Sequence, residues 1–152
     1  MGEKVFDEKQ YVVFRLGAEI FGVDISKVRE IIVYREPTRM PGTSELVEGV
    51  INLRGHVIPI YSLRKKFGFP EAEKTRNTRM VVVEVQDSTI GIVVDGVSEV
   101  LMISGSVMEK PSAMISTGVD TNYIAGIAKM EEGMIIVLDL DKVINPNMAK
   151  AV

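Results

Sequence analysis

The stretch YVVFRLGAEIFGVDISKVREII, residues 11–32, lies over MVVVEVQDSTIGIVVDGVSEVL, residues 80–101, at a constant shift. Phe14 falls on Val83, Leu16 on Val85, Gly22 on Gly91, Ile25 on Val94, Val28 on Val97, Glu30 on Glu99 and Ile31 on Val100. A second block, residues 49–67, lies over residues 126–144, with Leu53 on Met130, Ile58 on Ile135, Ile60 on Val137, Leu63 on Leu140 and Lys65 on Lys142. The two shifts, 69 and 77 residues, differ by eight, and the extra residues fall in the Ser-, Gly- and Met-rich stretch 104–121. Self-similarity of this kind indicates an internal duplication; chance likeness between valine-rich strands is the competing explanation.

Within each half the apolar runs are short, rich in Val and Ile, and separated by Gly, Pro, Asn, Asp or Ser, the pattern of strands and tight turns. Strands are predicted at Tyr11–Leu16, Ile20–Asp24, Val50–Leu53, Val57–Ser62, Met80–Gln86, Thr89–Val94, Gly126–Met130 and Met134–Asp139. The turns Leu16-Gly17-Ala18-Glu19, Arg54-Gly55-His56, Gln86-Asp87-Ser88 and Glu131-Glu132-Gly133 each supply a polar pair or a glycine. Ile25, Val28 and Ile31 or Ile32 recur at helical spacing, which predicts one or two helical turns over residues 25–32 with Ser26 as N-cap. Leu63–Phe67 is a second short helix, ended by Gly68 and Pro70. Residues 71–77 are polar and read as an exposed connection. With ~4–5 strands per half, each half is near the lower size limit for independent stability and should share a buried border with the other. Small closed barrels suit such halves, because closure removes exposed edges.

Composition narrows the function. Of 152 residues, 46% are apolar and 26% charged, enough for a folded core. There is no cysteine, no tryptophan and one histidine, which excludes disulfide scaffolds, cysteine nucleophiles, Fe–S clusters and zinc sites built on Cys or clustered His. No catalytic residue, metal site or cofactor is predicted. The formal charge of −3, without a basic stripe, disfavours nucleic acid. Residues 1–10 carry five charges and no apolar h-region, unlike a signal or transit peptide, and no apolar run approaches the ~20 residues that span a bilayer. A cytoplasmic location without membrane insertion is therefore expected. His56, in a turn with no ligand partner nearby, reads as an exposed histidine. Asp139 and Asp141 flank Leu140, but a helix starting near Asp139 makes Asp141 an ordinary first-turn acid. The nine methionines, with Met102, Met108 and Met114 around the central insert, read as gap fillers or as part of an adaptable binding surface.

At Glu48-Gly49-Val50-Ile51-Asn52-Leu53-Arg54-Gly55, followed by Val57-Ile58-Pro59-Ile60, the sequence resembles the CheW family of bacterial chemotaxis coupling proteins. The likeness covers nearly the whole chain. It includes residues 14–17, 21–25 and 28–31 early, residues 63–68 in the middle and residues 91–97 later. The resemblance implies an all-β protein with short helices: two SH3-like five-stranded barrel lobes side by side, with exchange of a strand between them left open. Within a single domain over residues 1–152, the lobes are placed at about 10–70 and 78–145. It also implies a non-enzymatic adaptor that joins chemoreceptor cytoplasmic tips to the histidine kinase CheA, whose C-terminal regulatory domain is similar to CheW, and so sits at membrane receptor arrays. The related CheV proteins carry a response-regulator domain downstream, an arrangement not expected in a sequence running to Val152. Ser62 departs from the family, which often has Asp before the Leu-Arg pair, and this puts a local polar contact in doubt.

Carried over from the family, Val28, Glu30, Ile31 and Arg39 fall in the region meeting the kinase. Arg54, Gly49, Gly91, Val97 and Val100 fall in the receptor-facing set, with Asp95 beside a groove between lobes. Read as residues alone, Gly49 and Gly55 are backbone devices and the valines are core. Two alternatives of other classes are a small β-barrel binding an oligosaccharide or single-stranded nucleic acid, which needs exposed aromatics, and a hydrolase using Asp139.

Overall fold

The computed structural model describes residues 8–110, 119–131 and 133–144. The chain forms strands β1 (Glu8–Leu16), β2 (Glu19–Asp24), β3 (Val28–Val33), β4 (Val47–Leu53) and β5 (His56–Ser62), helix α1 (Leu63–Phe67), strands β6 (Arg79–Val85), β7 (Ser88–Val94), β8 (Gly96–Ser104), β9 (Met108–Glu109), β10 (Ile124–Met130) and β11 (Gly133–Leu138), and helix α2 (Leu140–Val143). The first lobe is a five-stranded sheet in the order β3-β6-β7-β5-β4, and the second is a sheet in the order β8-β1-β2-β11-β10 with the two-residue β9 added at its edge.

The repeat maps β1 on β6, β2 on β7, β3 on β8, β4 on β10 and β5 on β11, so the two sheets have the same strand order, with their leading hairpins exchanged. Hairpin β1–β2 sits with the second half's strands, and β6–β7 sits with the first half's. Sheet membership therefore departs from the 10–70 and 78–145 division: each lobe takes strands from both halves. The irregularities repeat as well. Arg29 in β3 and Ser98 in β8 are skipped in pairing at equivalent bulges. The parallel pair Ile60 with Gly91 is matched by Val137 with Gly22. A Cβ on Gly91 would lie 2.6 Å from Ile60 Cδ1 and one on Gly22 3.2 Å from Ile135 Cγ2, so both glycines admit a close neighbour from the parallel strand they pair with.

Alternation of side chains explains three cores. Val12, Phe14, Leu16, Phe21 and Val23 of one hairpin meet Val81, Val83, Val85, Ile90, Ile92 and Val94 of the other, all at most 2% exposed. Tyr11 and Val13 point instead into the second lobe with Ile103, Ile135 and Val137, while Met80 and Val82 point into the first with Ile51, Ile58 and Ile60. Both hairpins are thus covered on both faces, which is why they read as unbroken apolar runs. Each lobe's own core has six buried residues among those described, against 23 in the shared core, so neither lobe holds most of its apolar burial alone. Phe14, Phe21 and Phe67 stack in sequence through the shared core, at centroid distances of 5.8 and 5.6 Å.

Three strands, β3, β8 and the two-residue β9, are not among those the sequence predicts, and residues 25–32 are not helical beyond a three-residue 3₁₀ turn over Ile25–Lys27. The run Val-Arg-Glu-Ile-Ile-Val alternates half-buried and exposed side chains as a strand, and its β-branched residues favour that state. Asp24, not Ser26, caps the turn, accepting from the Ser26 amide at 2.9 Å. Helix α1 is N-capped by Ser62, whose hydroxyl accepts from the Lys65 amide at 3.1 Å, and closed by Gly68 at φ 76°. Asp139 caps α2 in the equivalent position, accepting from the Asp141 amide at 3.2 Å. Ser62 therefore supplies the oxygen that an aspartate supplies at the end of the other repeat.

Candidate interaction surfaces

Arg54 and Gly55 form the two-residue turn between β4 and β5, at φ 53° and 88°, as a type I′ hairpin requires. The Asn52 side-chain oxygen accepts from the Gly55 amide at 2.8 Å. Holding a non-glycine residue in this region costs about 1 kcal/mol, yet it aims the Arg54 side chain across the sheet edge. There the guanidinium donates to Glu30 of β3 and forms an ion pair with it. One bulge residue away, Arg29 pairs with Glu84 at 2.7 Å. Glu30, Arg54, His56, Val57 and Thr89 line an open groove of about 490 Å³ at the mouth of the first lobe. Val57 is 67% exposed on its rim, and Ile31 and Val33 are 39% and 68% exposed on β3.

The structure thus joins Glu30, read in sequence with the kinase set, to Arg54, read with the receptor set, on one surface. Ile31 is exposed beside Glu30, whereas Val28 is half-buried against the shared core. Arg39 lies on a different cleft, of about 580 Å³, shared with Met40, Ser44, Glu48 and Lys65. On β8, Val97 is half-buried against the shared core and Val100 is 48% exposed. Gly91 and Gly49 are buried in their strands. They present no side chain to a partner, and their place is set by packing. Gly49 has φ 147°, and a Cβ there would lie 2.4 Å from the Thr38 carbonyl oxygen.

The mouth of the second lobe is the repeat counterpart of the first, with different chemistry. Its groove of about 230 Å³ is lined by Ile20, Leu101, Met130, Met134 and Ile135, with Glu99 where the first has Glu30. The position of Arg54 corresponds to Glu131, so the ion pair has no equivalent. Exposed Met102 and Val33 lie on the edge strands and Met134 and Val57 on the groove rims; the sequence marks the methionines only as gap fillers or part of a binding surface, and neither valine as exposed. Placing β3 and β8 as strands would have revealed the first two, because alternation sets Ile31 with Val33 and Val100 with Met102 on the outside. Met114 and the rest of 111–118, like the N-terminal residues 1–7, lie outside the described residues.

Other groups serve the fold. Asp139 caps α2 and Asp141 pairs with Lys27 at 3.5 Å, so they are not poised as an acid and a base. Among the described residues no group of three His, Cys, Asp or Glu side chains could hold a metal ion, and no helix is long and apolar enough to cross a membrane. Burial, then the nearby Asp24 charge, raises the Tyr11 hydroxyl above its ordinary value of 10.0; burial, then Glu48 and Glu36, does the same for Tyr34. Tyr11, Phe14, Phe21, Tyr61 and Phe67 are all buried, which leaves few rings for the stacking that a sugar- or base-binding barrel uses.

These features define a duplicated, two-lobed β protein in which most of the exposed apolar side chains sit on edge strands and groove rims. The chain matches the family described as CheW-like domain over residues 10–147. It is 37% identical over 144 residues to the chemotaxis protein CheW of Klebsiella aerogenes, covering 95% of this chain and 85% of that protein. It is 36% identical over 143 residues to the chemotaxis protein CheW of Treponema pallidum, covering 91% and 84%. The crystal structure of scaffolding protein TtCheW from Thermoanaerobacter tengcongensis superposes with a TM-score of 0.82 at 38% identity, over 90% of this chain and 88% of that one. The chain belongs to the CheW family.

Proposed function

We propose that this protein is a non-enzymatic adaptor that couples chemoreceptors to the histidine kinase CheA in chemotaxis signalling. The match over residues 10–147, with relatives named as chemotaxis proteins and a neighbour named as a scaffolding protein, is the observation that carries this reading. The surfaces suit it: the groove mouths and edge strands expose Ile31, Val57 and Val100 beside charged side chains, the composition of a modest, exchangeable protein interface. In this reading Val28, Glu30, Ile31 and Arg39 contribute to the surface for the kinase's C-terminal regulatory domain. Arg54, Val97 and Val100 contribute to the surface for the receptor tip, with Gly49 and Gly91 holding the strands in place. The Glu30–Arg54 pair fixes both side chains at the junction of the two sets. The protein works in the cytoplasm, recruited to receptor arrays through its partners.

The test is retention by immobilised receptor cytoplasmic fragment and, separately, by the CheA regulatory domain. The wild-type protein binds both, and Arg54→Ala loses receptor binding while keeping kinase binding and an unchanged circular dichroism spectrum. Capture by neither partner would overturn the proposal.

A further inference from the structure

The chain covers one edge of each sheet at equivalent places. In the first lobe the edge of β4 is met by Thr38, which exchanges two backbone hydrogen bonds with Val50 at 2.8 and 2.9 Å. In the second the edge of β10 is met by β9, whose Glu109 pairs with Ile127, the repeat counterpart of Val50. One residue earlier, each covering segment presses a side chain onto a glycine that follows a bulge: Pro37 onto Gly49 and Met108 onto Gly126. An added Cβ would lie 3.0 Å from Pro37 Cβ at Gly49, and 3.2 Å from Met108 Sδ and 3.3 Å from its methyl carbon at Gly126.

The two closures differ in chemistry, since a proline ring is rigid and inert and a thioether is neither. What else holds β9 is slight: two ladder pairs, Ile127 with Glu109 and Ala128 with Met108, and an ion pair of Lys129 with Glu109 at 3.4 Å between exposed side chains. Met108 is the side chain of β9 that packs against the second lobe's core, the cluster that includes Ile103, Ala128 and Ile135. It is half-buried, which leaves it open to a small oxidant where Met80, fully buried in the first lobe, is not.

We propose that Met108 is a site of reversible oxidation that releases β9 from the edge of β10. With a peroxide as oxidant, a sulfur lone pair attacks one oxygen and the O–O bond breaks. The other oxygen takes the proton of the first and leaves as water, so sulfur loses the two electrons that the peroxide gains. The sulfoxide oxygen is a strong acceptor set in an apolar notch. The atoms nearest that notch are the sulfur, its methyl carbon and the Glu109 carbonyl oxygen, 3.5 Å from the added Cβ, none of which donates a hydrogen bond. An acceptor buried without a donor is unfavourable, and β9 is held too lightly to keep it there, so the strand lifts and water reaches the oxygen. β10 then presents an unpaired backbone edge, while β4 keeps Thr38. Reduction of the sulfoxide by a thiol-dependent reductase restores the thioether and the covered edge.

The test is hydrogen exchange of the full chain, read by mass spectrometry before and after hydrogen peroxide, with peptide mapping of the sulfoxides. Met108 sulfoxide forms while Met80 stays a thioether. Exchange over residues 124–130 then rises by on the order of tenfold, about what giving up the partial burial of one methionine amounts to. Exchange over residues 47–53 is unchanged. Met108→Leu, which fills the notch and resists oxidation, shows no rise with peroxide. Met40→Leu with Met102→Leu and Met134→Leu removes the exposed thioethers and responds as the wild type does. The inference is overturned if Met108 resists peroxide in the folded protein, if the protein carrying its sulfoxide exchanges over residues 124–130 as untreated protein does, or if Met108→Leu responds like the wild type. If Met108→Leu does not fold, the triple variant decides: a rise upholds the inference and no rise overturns it.

Discussion

Gly49→Ala separates a backbone role from a contact role at a position that the family resemblance places in the receptor-facing set. Gly49 is buried at φ 147°, and an added Cβ would meet the Thr38 carbonyl oxygen at 2.4 Å, its carbon at 2.8 Å and Pro37 Cβ at 3.0 Å. Those atoms are backbone and a proline ring, which cannot swing aside. The conformation alone costs ~1–3 kcal/mol for a residue with a side chain. Relief of the clash moves Thr38 away and breaks one or both of the hydrogen bonds it exchanges with Val50, at 2.8 and 2.9 Å, each contributing ~0.5–1.5 kcal/mol. The expected loss is about 2–5 kcal/mol. Gly55→Ala is the control, because Gly55 also has a positive φ, of 88°, but nothing lies within 4 Å of its added Cβ. It should lose only about 1–2 kcal/mol. Urea titrations followed by far-ultraviolet circular dichroism measure both, with m unchanged. In receptor capture, Gly49→Ala should lose binding only in proportion to its unfolded fraction. Equal destabilisation by the two substitutions would refute the reasoning, as would loss of capture by a fully folded Gly49→Ala.

Arg54→Ala should cost under about 1 kcal/mol in the same titration, because the arginine side chain of the Glu30 pair is 69% exposed. Ser62→Ala should cost about 1 kcal/mol through loss of the α1 cap, and Ser62→Thr should recover part of it. Tyr11 and Tyr34 hold their protons more tightly folded than unfolded, so their contribution is intact below pH 10 and is lost as pH rises above it; Tyr11→Phe and Tyr34→Phe together should flatten that alkaline decline in urea midpoint. A fragment of residues 1–70 should give no cooperative unfolding transition, because its β1–β2 hairpin has lost the sheet it belongs to and its β3, β4 and β5 have lost β6 and β7.

The hairpins and short helices were legible in the sequence because each follows a local rule: a valine-rich run, a turn pair, an N-cap and a closing glycine. Strands β3 and β8 were not, because their outward positions Ile31, Val33, Val100 and Met102 are apolar like the inward ones, so residue type does not alternate, and Ile25, Val28 and Ile31 or Ile32 fall at helical spacing. Hairpin exchange lies beyond any local rule. The repeats carry the same apolar faces, and what sends each hairpin to the other sheet is the shortness of the links, above all the single residue Asp95 between β7 and β8, which cannot carry the chain back past β6. At the candidate surfaces, the turn geometry of Arg54 was readable from the Arg-Gly pair, but its partner Glu30 stands 24 residues earlier on a strand that the sequence concealed. Gly91 shows the reverse case. Likeness sets it in the receptor-facing set, and the structure buries it opposite Ile60, where an added Cβ would lie 2.6 Å from Ile60 Cδ1.

The most direct test of the adaptor reading is co-sedimentation of this protein with a CheA-type kinase and a receptor cytoplasmic fragment, with kinase activity read in the pellet. The reading predicts that kinase enters the receptor pellet and changes activity only when this protein is present, and that Arg54→Ala abolishes this while remaining folded. Kinase recruited and regulated equally well without the protein, or unaffected by its presence, would contradict the reading.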